Sequence, residues 1–439
     1  MTRDEAQKLT KKILSYASVP EAEVQVDVTH HGFLRFAGNQ PTTAGETTGA
    51  SVSFTAWKGK RRATVRGTYE VAKGRLDEAG LKKLVSDAEE LAAISPEDRE
   101  YMPLLGPQKY LEVDAFDEET ASAGPKGRAE SVKEAIAYAK KSNVRAAGFL
   151  DQIARYSAVA NTKELFGYHP STSVELSMTA RTPDETGSGY AIVESQAYRV
   201  LDVGEVAAMA VRKAVASRNA TEQKPDAYPT VLEPLAANDL LGGLDMDARQ
   251  AEEGRSVFSD PDGKTRVGQQ VFDKRLTIYG NPAHPLAPSS PIGPGGYPIT
   301  KATLVKDGVL QTLEYSRWWA AQKEKQPGPF TSNMILEGGE KSLSEIIQST
   351  KEGVLVSRFW YIRSVDRQQA LVTGLTRDGT FWIKDGEIAH PIKNFRFNES
   401  MVRVLGDLEE LGQPVRVGRR MTPALRTPAF RFTSLSDAV

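Results

Sequence analysis

An α+β fold is predicted, built on an antiparallel sheet and divided into two domains. Apolar residues alternate with polar ones in some runs and recur three and four apart in others, so strands and helices are both present. The two kinds of run alternate as helices and hairpins, without the strand–helix–strand rhythm of a parallel sheet. The second half of the 439 residues opens on a helix and is otherwise strand-rich.

In order along the chain, Thr2 and Glu5 have capping-box spacing, and Ala6, Leu9, Ile13, Leu14 and Ala17 form a helical stripe behind them. EVQVDVTHHGFLRFAGNQ follows, with Val24, Val26 and Val28 alternating as in a half-buried strand and Gly32 placed near a turn before Phe33 to Phe36. ASVSFTAW and RRATVRG extend the strand character to Arg66, closed by Gly67. Leu81, Leu84, Val85, Ala88, Leu91 and Ala92 predict a second helix; Val132, Ala135, Ile136 and Ala139 predict a third. STSVELSMTA and GYAIVESQAY are strand-like, and a helix runs from about Val203 to Ala216. SRNATEQKPDAYPT is polar, aperiodic and contains Pro225 and Pro229, which sets a boundary between domains at 1–220 and 221–439. LLGGLDMDARQAEEGRSVF (Leu240 to Phe258) reads as one amphipathic helix with Leu240, Leu241, Leu244, Ala248 and Ala251 on its stripe. The strands that follow are punctuated by Asp-Gly turn signals after Lys306, Arg377 and Lys384.

Hydrophobic content of 40%, charged content of 26% and a net charge of −1 are those of an ordinary globular protein. Neither nucleic acid nor an anionic membrane is expected as a partner. The absence of cysteine excludes disulfides, thiol nucleophiles and thiolate ligands. MTRDEAQKLTKKIL carries charges throughout, and no run approaches the ~20 apolar residues of a membrane span. A cytoplasmic protein is expected.

The acidic residues of the Leu240–Phe258 segment invite a metal reading. On a helix turning ~100° per residue, Asp245 and Asp247 diverge by about 200° and cannot share an ion. Asp245 and Arg249 are spaced for a surface pair. The expectation is a solvated acidic face. His30 and His31 are strand neighbours facing opposite ways; His169, His284 and His390 each precede proline; no His-x-x-x-His spacing exists. DPDGK at Asp260 starts like a calcium loop, but its twelfth position is Val271, so a turn is expected. GPGGYPITK lacks the ending of a phosphate loop, and GSGYA is no nucleophile elbow. SRFWYIRSVD mixes aromatics with arginines, which suits either a core strand or a binding groove. If the strand lines a groove, Trp360, Tyr361 and Arg363 are the candidate substrate contacts.

GVLVSRFWYIRSVDRQQALVTGLTRDGTFWIKDGEIAHPIKNFRFNES (Gly353 to Ser400), FTSNMILEGGEKSLSEII, TKATLVKDGVLQTLEYSRWWA, GRSVF…VGQQV and LRFAGNQ together resemble the TldD/PmbA family, also called the modulator of DNA gyrase family. The resemblance implies a two-subunit cytosolic zinc metallopeptidase acting on unfolded or peptide-like substrates. It also implies a catalytic subunit with His-Glu-x-x-x-His on the helix corresponding to Leu240–Phe258 and a cysteine ligand near the C-terminus. The TldE/PmbA-type subunit lacks these residues. This sequence has DMDARQ at about the motif's place, no histidine between His169 and His284, and LEELGQPVRVGRR in the cysteine region. The resemblance therefore implies a partner subunit without metal, zinc residing in a TldD-like partner, and dimerisation through the C-terminal half. Two alternatives stay open. One is a self-sufficient metallopeptidase using Asp245, Asp247 or His284; the other is a regulatory binder linked to DNA gyrase, with near-neutral charge against direct DNA contact.

Overall fold

The structure is a computed structural model that describes residues 1–70, 77–261 and 263–436. Thr2 and Glu5 close a capping box over α1 (Arg3–Leu14), which buries Ala6 and Ile13. The first sheet contains β1 (Glu21–Ala37), β2 (Gln40–Lys58), β3 (Arg61–Glu70), β4 (Arg145–Asn161), β5 (Phe166–Arg181) and β6 (Ser188–Ser195). Their order is β3-β2-β1-β4-β5-β6 and every pairing is antiparallel. Its helices pack on one face. Helix α1 and α2 (Glu78–Ile94) cover Val24, Val26, Val28, Val52 and Phe54. The short α3 (Glu118–Ser122) precedes α4 (Pro125–Lys141), which with α5 (Val203–Ala216) covers Leu34, Phe36, Leu150, Leu176 and Met178. The opposite face carries Asp27, Asp151, Ser157, Glu175 and Glu194. The period-2 rule thus separates a buried apolar face from a polar one.

Gly32 is not near a turn. It sits inside the 17-residue β1, opposite Glu46 and Gln152, and the turn comes at Gly38–Asn39. Its lack of a side chain makes room for the buried Arg128 of α4, whose Nη1 lies 2.4 Å from where a Cβ would stand. That guanidinium donates to Gln152 (2.8 Å) and Ala123 O (3.2 Å) and pairs with Glu46. Gly67 likewise lies within β3, opposite Val52. Strand β4 has no counterpart in the sequence reading. Its buried positions are Ala146, Leu150, Gln152, Ala154, Ala158, Val159, Ala160 and Asn161, mostly too small or too polar to announce a strand.

The second sheet contains β7 (Ala227–Leu232), β8 (Ile278–Gly280), β9 (Ala302–Lys306), β10 (Val309–Leu310), β11 (Met334–Leu336), β12 (Glu352–Asp366), β13 (Leu371–Lys384), β14 (Glu387–Pro391), β15 (Phe395–Ser400), β16 (Glu410–Val417) and β17 (Arg420–Leu435). Strand β7 pairs parallel with β12 and antiparallel with β17, so β7, β12, β13, β15 and β17 close into a ring. Phe359, Phe395, Phe397, Phe430 and Phe432 stack across β12, β15 and β17. Asp307-Gly308 and Asp385-Gly386 are turns with positive φ, as their spacing predicts. Asp378-Gly379 is not. It forms a bulge inside β13, where the register with β12 slips between Val356 and Arg358.

The predicted Leu240–Phe258 helix is two pieces. Helix α6 (Pro234–Leu241) ends at Gly242, and α7 (Ala248–Glu252) restarts after Asp247, which caps it by accepting from Gln250 N at 2.8 Å. Two consecutive glycines break the first piece, and a capping aspartate favours a new start over continuation.

Candidate functional site

A cleft lies between the polar face of the first sheet and the second half of the chain. Its floor is formed by β4 and β5, including Arg155, Ser157, His169 and Ser173; Pro288–Ser290 and the β16–β17 turn form the other wall. This part has a volume of about 380 Å³. Gly418 and Arg419 also line an adjoining cavity of about 330 Å³ bounded by Asn238, Thr331, Asn333 and Arg420. The turn reaches across because Gly418 takes a φ of 61°. Arg416 fastens it to the sheet by donating to Gln196 Oε1 (2.6 Å), Glu194 (3.1 Å) and Leu286 O (3.2 Å). Burial pushes the His169 imidazole down to about 4, so it is neutral near pH 7.

A second contact between the halves centres on Asp378, 3% exposed. The β13 bulge aims its carboxylate at Ser188 of β6, with Arg358 Nε at 3.3 Å and Arg377 Nε at 3.8 Å. Arg358 stacks on Tyr190 (4.1 Å to the ring centre), and Arg377 on Trp360 (4.2 Å). Arg363 stacks on Tyr361 at 4.3 Å. Trp360 and Tyr361 are 41% and 58% exposed, whereas Phe359 beside them is buried. The register slips again between Trp360 and Arg363, and Tyr361 takes a left-handed φ of 57°. A second bulge therefore turns the aromatics outward. The three candidate peptide contacts, Trp360, Tyr361 and Arg363, are neighbours on this surface.

Asp239 on α6 accepts from Phe359 N at 3.0 Å. Burial raises its carboxyl from an ordinary 3.8 to about 6, against the lowering effects of that bond and of Arg358. Native protein therefore holds this proton more tightly than unfolded protein between about pH 4 and pH 6. The stability it contributes is fully present below pH 4 and is lost as pH rises through 6. Asp239→Asn is expected to stabilise the protein relative to wild type by about 2 kcal/mol more at pH 7 than at pH 4. Urea denaturation at both pH values measures this; an equal difference at both contradicts it.

The acidic segment is a solvated face only in part: Asp245 and Glu253 are exposed, Asp247 is half-buried and Glu252 is enclosed. Asp245 accepts from Gln250 Nε2 (2.8 Å), and Arg249 pairs with Glu253 (2.9 Å) and Glu100 (2.6 Å) rather than with Asp245. Glu252 is enclosed, accepting from Tyr315 OH (2.7 Å) and Trp319 Nε1 (2.8 Å) with Lys325 and Lys323 at 3.3 and 3.5 Å. Burial, with Asp247 and Asp245 nearby, pushes Glu314 up to about 7. Ser259 and Thr265 bridge across a turn at the Asp260 run, of which Asp262 lies outside the described residues.

A zinc ion does not fit these donors. Among the described residues no three His, Cys, Asp or Glu side chains converge as ligands. His30 bonds Thr48, His31 bonds Asp151, and His284 accepts from Leu286 N. Asn238 of α6 faces Arg420 at 3.3 Å, and a guanidinium repels a dication.

Residues 120–218 match the PmbA/TldA metallopeptidase central domain, and residues 225–436 the PmbA/TldA metallopeptidase C-terminal domain. The chain belongs to the TldD/PmbA family. A relative within reach is a protein named metalloprotease from Methanothermobacter thermautotrophicus, 24% identical over 249 residues, covering 52% of this chain and 51% of that protein. The chain thus spans about half the length of this curated relative. A TldE crystal structure from Thermococcus kodakarensis superposes with a TM-score of 0.82 at 19% identity, covering 98% of this chain and 99% of that one. A protein described as a modulator of a DNA gyrase from Thermotoga maritima gives 0.84 at 19%, covering 98% and 100%. One described as a modulator of DNA gyrase from Bacteroides thetaiotaomicron gives 0.84 at 17%, covering 99% and 100%. These likenesses establish that the TldD/PmbA fold runs through both halves. Sequence reasoning missed the Asp378 bulge and the arginine-lined cleft. The signals for them were the RDG triplet, which reads as a turn, and the paired arginines of VGRR at Val417–Arg420, which read only as the place of a missing cysteine.

Proposed function

We propose that this chain is the non-catalytic partner subunit of a TldD/TldE-type zinc metallopeptidase complex that degrades unfolded or peptide substrates in the cytoplasm. The observation that carries the reading is the lack of any histidine between His169 and His284, which leaves α6 and α7 without an imidazole. The donors beside α6, an amide and a guanidinium, support it, as does the family's metallopeptidase character. In this reading the zinc belongs to a TldD-like partner, the two subunits dimerise through their C-terminal halves, and this chain presents an extended peptide to the metal-bearing subunit. Among the described residues no helix is long and apolar enough to cross a membrane.

The test is coexpression with a relative bearing His-Glu-x-x-x-His, followed by copurification, elemental analysis and a peptidase assay. One zinc per pair and activity only in the complex are expected. Stoichiometric metal in this chain alone, together with unaided cleavage, overturns the reading.

Trp360, Tyr361 and Arg363 are the proposed peptide contacts. Their exposed aromatic faces suit sequence-tolerant capture, and each cation–aromatic contact contributes roughly 0.5–2 kcal/mol. The triple alanine variant is expected to raise KM of the assembled complex by about tenfold or more. Unchanged KM and turnover remove these residues from the substrate path.

A further inference from the structure

The cleft concentrates positive charge that the chain as a whole does not have. Arg155, Arg416, Arg419 and Arg420 line its two adjoining cavities, against one carboxylate, Glu194, in a protein of net charge −1. Glu194 is already committed to Arg416 at 3.1 Å. Among the described residues, no carboxylate forms an ion pair with Arg155, Arg419 or Arg420.

Arg420 is the decisive member. Its guanidinium is half-buried in the smaller cavity, and the described residues give it one side-chain hydrogen bond, a 3.3 Å contact from Nη1 to Asn238 Oδ1. Burial and neighbouring Arg419 both work against its charge. A partly desolvated guanidinium with most of its donors unused is costly, and a carboxylate is the group whose two oxygens match its fork. Asn238 accepts through Oδ1, which leaves its Nδ2 to donate to the same anion. Asn333 is not available: its amide is spent on Asn281 O (2.6 Å), Ala287 O (2.7 Å) and Asn281 N (2.8 Å), which makes it a rigid wall. The cavity, about 330 Å³, is large enough for a terminal residue with its carboxylate, and the larger one leads away over the serine-lined face of β4 and β5.

We propose that Arg420 and Asn238 form a carboxylate-binding subsite that anchors one end of a peptide lying in the cleft, with Arg419 and Arg155 supplying the surrounding field. The inference rests on the reading of this chain as a peptide-handling subunit and adds the chemistry by which the peptide is held. The carboxylate is the peptide's own C-terminus or an acidic side chain, and the two are distinguished by the probe.

The experiment measures fluorescence anisotropy of the full chain with a rhodamine-labelled octapeptide of alanine, serine and leucine. Three forms are compared: the free C-terminal acid, the C-terminal amide, and the amide carrying one internal glutamate. The acid is expected to bind about tenfold tighter than the plain amide, and R420Q to abolish the difference. A glutamate form binding like the acid shows that the subsite takes a carboxylate from either source; one binding like the amide assigns it to the C-terminus, and a gain for the glutamate form without one for the acid assigns it to acidic side chains. R419Q, at an exposed position, tests the surrounding field without disturbing packing and is expected to weaken acid binding severalfold. Equal binding of acid and plain amide combined with no gain from glutamate, no binding of any form, or a preference that survives in folded R420Q overturns the proposal. This readout needs no second subunit. A chain that prefers the acid yet fails to activate a metal-bearing relative would lose its proposed function and keep its subsite.

Discussion

Asp378→Ala is expected to destabilise the protein by roughly 3–5 kcal/mol, because it strips the counter-charge from two guanidiniums that are themselves mostly buried. The carboxylate is 3% exposed, and the Arg358 and Arg377 side chains are 18% and 21% exposed, so water can replace it only in part. Ser188 loses its acceptor in the same step. These groups belong to different sheets, with Ser188 on β6 and the others on β12 and β13, so the effect extends to how the halves are held together. Asp378→Asn keeps an acceptor for Ser188 and removes only the charge; it should cost less than alanine. Urea denaturation at pH 7 measures both. A loss below about 1 kcal/mol for the alanine variant would show that the buried charges are satisfied in some other way.

Phe430→Ala is expected to cost about 3–5 kcal/mol through lost burial and the cavity left behind. Phe430 is fully buried and touches Phe359, Phe397 and Phe432, with ring centres 5.5, 5.4 and 5.1 Å away. Those rings come from three strands of the closed ring, so neighbouring side chains cannot collapse into the space without disturbing its pairings. Phe430→Leu keeps more of the volume and should lose less than half as much. A thermal denaturation series distinguishes them; equal losses for Leu and Ala would mean that aromatic geometry rather than volume sets the cost.

Where local pattern and burial agree, the sequence was readable. The capping box at Thr2 and Glu5, the valines of β1, and α5 from Val203 to Ala216 all follow from spacing alone. Reading failed where a buried position is not apolar or a turn signal is not a turn. Strand β4 fills its inner face with Ala146, Gln152 and Ala154, and Gln152 is there because Arg128 needs its oxygen. Gly32 marks the close passage of a distant arginine, which no window of neighbouring residues can reveal. The Asp-Gly pair at 378–379 makes a bulge because β12 supplies a continuous partner on both sides of it. The acidic segment breaks at Gly242 and Gly243, and Glu252 finds its partners more than sixty residues away, at Tyr315, Trp319 and Lys325.

The amino-acid order by itself determined the α+β class, the family, the lack of cysteine and the lack of any histidine between His169 and His284, since these depend on which residues occur and at what spacing. Tertiary structure alone decided that Arg155, Arg416, Arg419 and Arg420 share one cleft and that Trp360, Tyr361 and Arg363 stand outside the core. Those placements come from the β16–β17 turn reaching the first sheet and from bulges that reorient β12. Long-range pairing sets both, and charge and stacking act on distance in space, not along the chain.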